Sequence, residues 1–273
     1  MFKQLVSAFL LILISSSLFA KSTQNYITEL KELHTKEHAY PLLSTKYPSI
    51  TIPMAYGIQK QWVGYLLSQN SKVGYKAGLT SSESQKKFKT NAPIFGVLAP
   101  KKQYQNFAII PKKDFHNLYI EAELGFRFKR SIKKPIESDY ILKSLIKECV
   151  VVAELADIRL KTPSQAQLSD IIAINSAAAS LVIGDAIPLS RIDDLSIELL
   201  HNKSSQFKAN ANDILDGQLA ALKWLINATL EKGYSISKDD LFITGALGDM
   251  LAAKKGRYVI NYGDQASLLF DIY

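Results

Sequence analysis

Residues 117–128 read NLYIEAELGFRF, a stretch in which apolar positions alternate with period two. That period fits a strand with two unlike faces. Residues two apart in a strand share a face, so Glu121 and Glu123 project together while Ile120, Ala122 and Leu124 face the other way. Two carboxylates about 7 Å apart repel, and an apolar setting raises both pKa values. A bound divalent cation removes that penalty, and carboxylate oxygens are hard donors suited to Mg²⁺, Mn²⁺ or Ca²⁺. The competing reading is a polar strand edge facing water, and an E-x-E pattern alone does not decide between the two.

Glu154 follows the same logic. It is the acid in VVAELADIRL, again directly after an apolar run. Three carboxylates on adjacent strands leave coordination positions open for water and a chelating substrate, the arrangement that metal-assisted catalysis needs. Asp157 and Arg159, just beyond, read as an ion pair that orients the strand.

Along the rest of the chain, residues 25–38 and 54–69 are expected to be amphipathic helices, separated by a proline-punctuated loop. Residues 72–79, 107–111, 150–160, 239–248 and 257–273 read as strands. Residues 138–147 and 212–232 read as helices, the second closing at Gly233. The Ala-rich segment from Leu168 to Ser180 ends near a turn at Gly184-Asp185. There is no repeat and no obvious linker. With 273 residues, 47% of them hydrophobic, the chain can bury a substantial core. It reads as one α+β domain over residues 21–273, with a helical N-terminal section (21–72) and a β-rich core (73–273).

The first twenty residues stand apart: Lys3, an apolar run from Leu5 to Ile14, three serines, and Ala20 before Lys21. They fit a secretory signal peptide, which places the mature protein in an exported, periplasmic setting. An uncleaved N-terminal anchor is the alternative, although the run is short for a membrane span. The formal net charge of +8 permits attraction to anionic small molecules. Because the lysines are scattered and no recognition motif accompanies them, nucleic acid is not an expected partner. The single cysteine, Cys149, cannot form an intrachain disulfide and is expected to be buried and inert.

Several segments in order resemble the fumarylacetoacetate hydrolase superfamily, within it the 2-keto-4-pentenoate hydratase and 2-oxo-hex-3-enedioate decarboxylase branch. Ala55-Tyr56-Gly57-Ile58-Gln59 resembles the A-Y-x-x-Q helix, and Gly74-Tyr75-Lys76-Ala77-Gly78-Leu79-Thr80 the G-x-K-x-G-L-T segment. Pro93 to Leu98 follows at the expected distance. Glu121-Ala122-Glu123 and Glu154 to Arg159 match the E-x-E and E-x-x-D-x-R segments, and Trp224-Leu225 and Thr244-Gly245 fit the C-terminal part. The likeness runs from about Met54 to Phe270.

The resemblance implies a fumarylacetoacetate hydrolase-like fold, a mixed but mostly antiparallel β-roll or sandwich with flanking helices. It implies a homo-oligomeric lyase; separately, no other segment is long and apolar enough to span a bilayer, so no stable membrane insertion is expected after signal removal. Such an enzyme acts on a short 2-oxo or 2-hydroxydienoic acid through a metal-chelated enolate. Glu121, Glu123 and Glu154 would bind Mg²⁺ or Mn²⁺. Lys76 would be catalytic, neutralising the substrate carboxylate or passing a proton; the bland reading is a surface lysine. Leu79, Thr80, Asn175, Thr244 and Gly245 would line the substrate pocket. Hydration is the first expected activity and decarboxylation the second. A non-catalytic carboxylate-binding protein is the competing class, because Ile174 stands where the family commonly has an acid. The hydroxyl after Asn175 is shifted, and Ile94 replaces another acid.

One further pattern, His34-Thr35-Lys36-Glu37-His38, matches H-x-x-E-H of inverted zinc peptidases. On a helix both histidines would share a face, but the segment is polar and lacks an evident third ligand. An exposed amphipathic helix is the plainer reading.

Overall fold

The computed structural model describes residues 23–273, so the segment read as an export signal lies outside the described residues. Its helices are α1 (residues 23–35), α2 (Leu43–Lys46), α3 (Ile52–Gln69), α4 (Ser82–Lys87), α5 (Asp139–Leu145), α6 (Leu168–Ala173) and α7 (Gln218–Glu231). The first seven strands are β1 (Gly74–Gly78), β2 (Ile94–Leu98), β3 (Gln103–Gln105), β4 (Ala108–Ile110), β5 (Leu118–Phe128), β6 (Ile146–Asp157) and β7 (Ser180–Ile187). The remaining six are β8 (Ser196–His201), β9 (Ser204–Asn210), β10 (Leu241–Ile243), β11 (Leu251–Ala252), β12 (Gly256–Tyr262) and β13 (Ala266–Ile272). No helix among the described residues is long and apolar enough to cross a membrane.

The strands make two sheets. The larger has the order β2-β1-β10-β5-β6-β7-β3, with β11 pairing to β5; the smaller is β4-β13-β12-β8-β9. Most neighbours are antiparallel, and β1/β10, β3/β7 and β4/β13 are parallel. The architecture is thus mixed and mostly antiparallel with flanking helices, as expected.

Lys76, Glu121, Glu123 and Glu154 share one face of the large sheet by register, through Ile243 of β10 and Gly125 of β5. The opposite face carries Ala122, Leu124, Ala153 and Leu155, which join Ile260, Leu268 and Phe270 of the small sheet in the main core. A second apolar cluster ties α1 and α3 to α6, with Trp62 at 2% exposure as its largest side chain. Burying a side chain such as Trp62 contributes several kcal/mol, on the order of what its truncation costs.

Local chemistry explains most element ends. Thr51 caps α3 by accepting the Met54 N–H, and Pro53 occupies the first turn, where its missing N–H costs no bond. α7 begins later than the apolar pattern predicts because Gly217 sits at φ +96°, outside the helical region. It ends at Gly233 with φ +75°, as expected. Three expectations are corrected. The loop after residue 40 holds the short helix α2. Gly184-Asp185 is no turn; β7 runs through it, and the glycine lets Val151 and Leu268 approach to where a Cβ would stand 2.7 and 2.8 Å away. The first helix stops at residue 35, before Glu37, which takes a left-handed φ of +55°.

Candidate metal centre

β5 and β6 pair so that Glu121 lies directly across from Glu154, while Glu123 lies across from Val152. One carboxylate oxygen from each of the three glutamates lies within 4.8 Å of the others. Glu123 and Glu154 are fully buried, and Glu121 retains 9% exposure. The polar strand edge facing water is therefore not what forms. Lys76, also buried, reaches the cluster from β1: its Nζ stands 2.5 Å from Glu154 Oε2 and 3.9 Å from Glu121 Oε2. The surface-lysine reading of Lys76 is excluded by that burial.

The electrostatics are unbalanced. Burial drives the Glu121 carboxyl up to about 8; Lys76 opposes this and Glu154 adds to it. Glu123 is held well above the carboxylate range, by burial first and then by Glu154 and Glu121, with Lys76 and the Gly245 N–H pulling the other way. On Lys76 burial disfavours the charged form, but Glu154, Glu121 and Glu123 outweigh it and hold the ammonium above its ordinary value. Glu123 Oε1 and Glu154 Oε1 are buried without any hydrogen-bond partner. An unpaired buried carboxylate oxygen costs several kcal/mol, so it signals a ligand that completes the site. Three convergent carboxylates with two orphaned oxygens fit Mg²⁺ or Mn²⁺, hard cations that take oxygen donors.

Two glycines make room. A Cβ on Gly96, cross-strand from Lys76, would fall 2.9 Å from Lys76 Cγ. Gly245, at φ +104°, donates its N–H to Glu123 Oε2 at 2.7 Å, and a Cβ there would fall 2.1 Å from Thr80 Oγ1. Thr80 is buried against this turn, and its carbonyl accepts the Leu215 N–H. The neighbouring Leu79 is half-buried with a left-handed φ of +55°. Thr244 donates its hydroxyl to Gln218 Oε1 at 2.7 Å, which ties the turn after β10 to the start of α7.

Asn175 belongs to a different part of the construction. Its Oδ1 accepts the Val97 N–H at 2.8 Å and its Nδ2 donates to the Val97 carbonyl at 2.7 Å, so both ends of the amide serve β2. Ser176 and Gln59 both donate to the Phe95 carbonyl, and the Phe95 N–H donates to Tyr56 Oη. Tyr56 and Gln59, two members of the A-Y-x-x-Q segment, therefore bind strand backbone three residues apart on one helix face. Asn175, Ser176 and Ala177 all adopt left-handed φ, +64°, +55° and +57°. Sequence reasoning missed Gly96, Gln218 and the shared task of Tyr56 and Gln59; only tertiary placement shows them.

Asp157 and Arg159 are not an ion pair. Asp157 accepts the N–H groups of His116 and Asn117, while Arg159 donates to the carbonyls of Leu33, His34 and His38 at the end of α1. The H-x-x-E-H reading fails as well. His34 contacts Tyr40 Oη and packs edge-on against Trp62, His38 is exposed, and no zinc cluster forms there among the described residues. A cavity of about 600 Å³ opens beside them, lined by Tyr40, Trp62, Lys101, Arg159 and Ala177. None of the three glutamates lines it. Cys149 is buried, and burial pushes its thiol up, as expected of an inert cysteine.

No family model matches the chain. It is 24% identical over 268 residues to a 2-oxo-hept-4-ene-1,7-dioate hydratase of Escherichia coli, covering 92% of this chain and 98% of that protein. It is 27% identical over 238 residues to a 2-keto-4-pentenoate hydratase of Burkholderia vietnamiensis, covering 85% and 90%. Its fold matches the 4-oxalocrotonate decarboxylase of Pseudomonas putida G7, solved with magnesium and adipate. The TM-score there is 0.85 at 18% identity over 93% of this chain and 98% of the other. A fumarylacetoacetate hydrolase family protein of Yersinia pestis CO92 matches at TM-score 0.57 and 18% identity, over 74% and 93%. With its glutamate triad in the expected strands, the chain is similar in sequence to 2-keto-4-pentenoate and 2-oxo-hept-4-ene-1,7-dioate hydratases and shares the fold of fumarylacetoacetate hydrolase superfamily structures.

Proposed function

We propose that this chain is an exported, divalent-metal-dependent lyase that adds water to a short 2-oxo or 2-hydroxydienoic acid. The observation that carries the reading is the buried triad Glu121, Glu123 and Glu154, two of whose oxygens have no protein partner. A divalent cation held there supplies Lewis-acid polarisation of the substrate's 2-oxo group. Lys76 is placed to pair with the substrate carboxylate or to pass a proton. Ketonisation moves the proton of the 2-hydroxyl to the far carbon of the diene. Water then adds across the remaining double bond, oxygen to its distal carbon and hydrogen to the nearer one. The named hydratases among the relatives support this choice. Export rests on the first twenty residues alone, and fractionation of cells producing the full chain tests it.

Decarboxylation is the second reading, and one observation favours it. Ile94 and Ala177 are buried apolar residues, and the Ser176 hydroxyl is committed to the Phe95 carbonyl. These positions therefore offer no group to activate water. A vinylogous 2-oxo acid loses CO₂ by breaking one C–C bond; the electron pair passes into the oxo group and a proton returns to carbon.

The test uses protein lacking residues 1–20. Mn²⁺ uptake is expected, and Glu123→Ala should abolish it; unchanged affinity in that variant would remove the site assignment. Dienoate absorbance should fall only with both Mn²⁺ and Lys76 present. Released CO₂ would select decarboxylation over hydration. Uptake of metal and acid without turnover would make the chain a binding protein.

A further inference from the structure

The triad already holds a cation of its own. Lys76 Nζ hydrogen-bonds Glu154 Oε2 at 2.5 Å and lies 3.9 Å from Glu121 Oε2. The fold makes room for that reach: the stem lies so close to Gly96 that a Cβ there would fall 2.9 Å from Lys76 Cγ, and β1 is held by paired strands on both sides. Three ionised glutamates and one ammonium carry a formal charge of −2, enclosed where Glu123 and Glu154 are 0% and Lys76 3% exposed. In such a setting charge balance dominates, since Coulomb energies at a few ångströms far exceed their value in water. A dication cancels that charge. A trication would leave a buried positive charge instead.

We propose that Lys76 is a built-in counter-ion that competes with the metal for Glu154 and, by fixing the cluster's charge at −2, selects divalent over trivalent cations. The inference rests on the metal reading of the triad. It also orders the steps at the site. The ammonium leaves Glu154 Oε2 as the cation arrives, and only then is it released to meet an incoming carboxylate.

The experiment compares Mn²⁺ and Tb³⁺ affinities within each protein at one pH, by calorimetry and by Tb³⁺ luminescence. Both ions displace the same protons, so their ratio isolates the charge of the site. In Lys76→Met and Lys76→Gln the ratio of Tb³⁺ to Mn²⁺ affinity should rise about tenfold or more over wild type. An unchanged ratio overturns the inference. Wild-type protein with ¹⁵N-labelled lysine gives an independent reading should both variants misfold. Mg²⁺ should shift one protected Nζ signal, and titration to saturation without any shift would also overturn it. Wild type that takes up no Mn²⁺ at all would bring down the metal reading itself. Normal Mn²⁺ uptake with an unaltered ratio would bring down only the counter-ion.

Discussion

Glu123 shows how one residue can be both held and unsatisfied. Gly245 fixes Oε2 through a 2.7 Å backbone hydrogen bond, while Oε1 has no partner. That division anchors one oxygen to the backbone and leaves the other to serve a ligand. Gly245→Ala should lower stability by about 2–4 kcal/mol, because a Cβ would collide with Thr80 and φ is +104°. Urea unfolding reads the cost, and weakened Mn²⁺ uptake should accompany it. Proton linkage belongs at this scale too. With Glu121 raised to about 8, the folded metal-free protein binds more protons than the unfolded chain between about 4.5 and 8. The stability this contributes is present below the ordinary glutamate pKa and is lost as pH rises through about 8. Mn²⁺ must displace those protons, so its affinity should climb over the same window and level off above it. Calorimetry from pH 6.5 to pH 9 should show proton release falling across the series; flat affinity would contradict the linkage. The three glutamates were legible in the sequence because each acid interrupts an apolar strand. Lys76 was legible only through the family resemblance, since a strand lysine between two glycines has no pattern of its own.

At the level of elements, legibility followed contrast. β5 alternates and β6 is a long apolar run, and both stood out. β2 is buried at all five positions, so it has no alternation, and Gly96 breaks its strand character. β9, SSQFKAN, is mostly exposed and polar; its pairing with β8 is a tertiary fact. The left-handed run Asn175 to Ala177 was equally hidden, because none of its residues is glycine. Its cost of roughly 1 kcal/mol per residue is offset by the bonds that Asn175 and Ser176 make to β2. Asn175→Ala should therefore cost about 2 kcal/mol or more, by leaving both polar groups of Val97 unpaired. Amide exchange should accelerate selectively at Val97. An effect confined to substrate affinity, with stability unchanged, would make Asn175 a ligand contact instead.

Across the whole molecule, the helical N-terminal section is fastened to the sheet core by a few polar clasps over an apolar base. Arg159 binds three carbonyls at the end of α1 and lies 5.0 Å from the Tyr40 ring centroid. His34 sits inside that clasp, lowered to about 4 by burial first and then by Arg159, Lys101 and His116. A histidine with a depressed folded pKa contributes stability that is present above its ordinary value and lost as pH falls from about 6.5 towards about 4. After discounting for its partial exposure, the loss is on the order of 1 kcal/mol. The urea midpoint should drop across that interval in wild type and drop less in His34→Gln. Identical pH slopes in the two proteins would rule out His34 as the source.

β2 ends the large sheet, so the outward backbone of Phe95 and Val97 would ordinarily be a template for another strand. Here Tyr56, Gln59, Asn175 and Ser176 occupy those groups with side-chain donors and acceptors. At the other end of the sheet, β3 is only three residues long and follows Lys101-Lys102. A sheet this wide is thereby closed to strand addition at one border and blunted by length and charge at the other. In a crowded compartment that guards the folded protein against joining its neighbours edge to edge, a form of solubility written into hydrogen bonds.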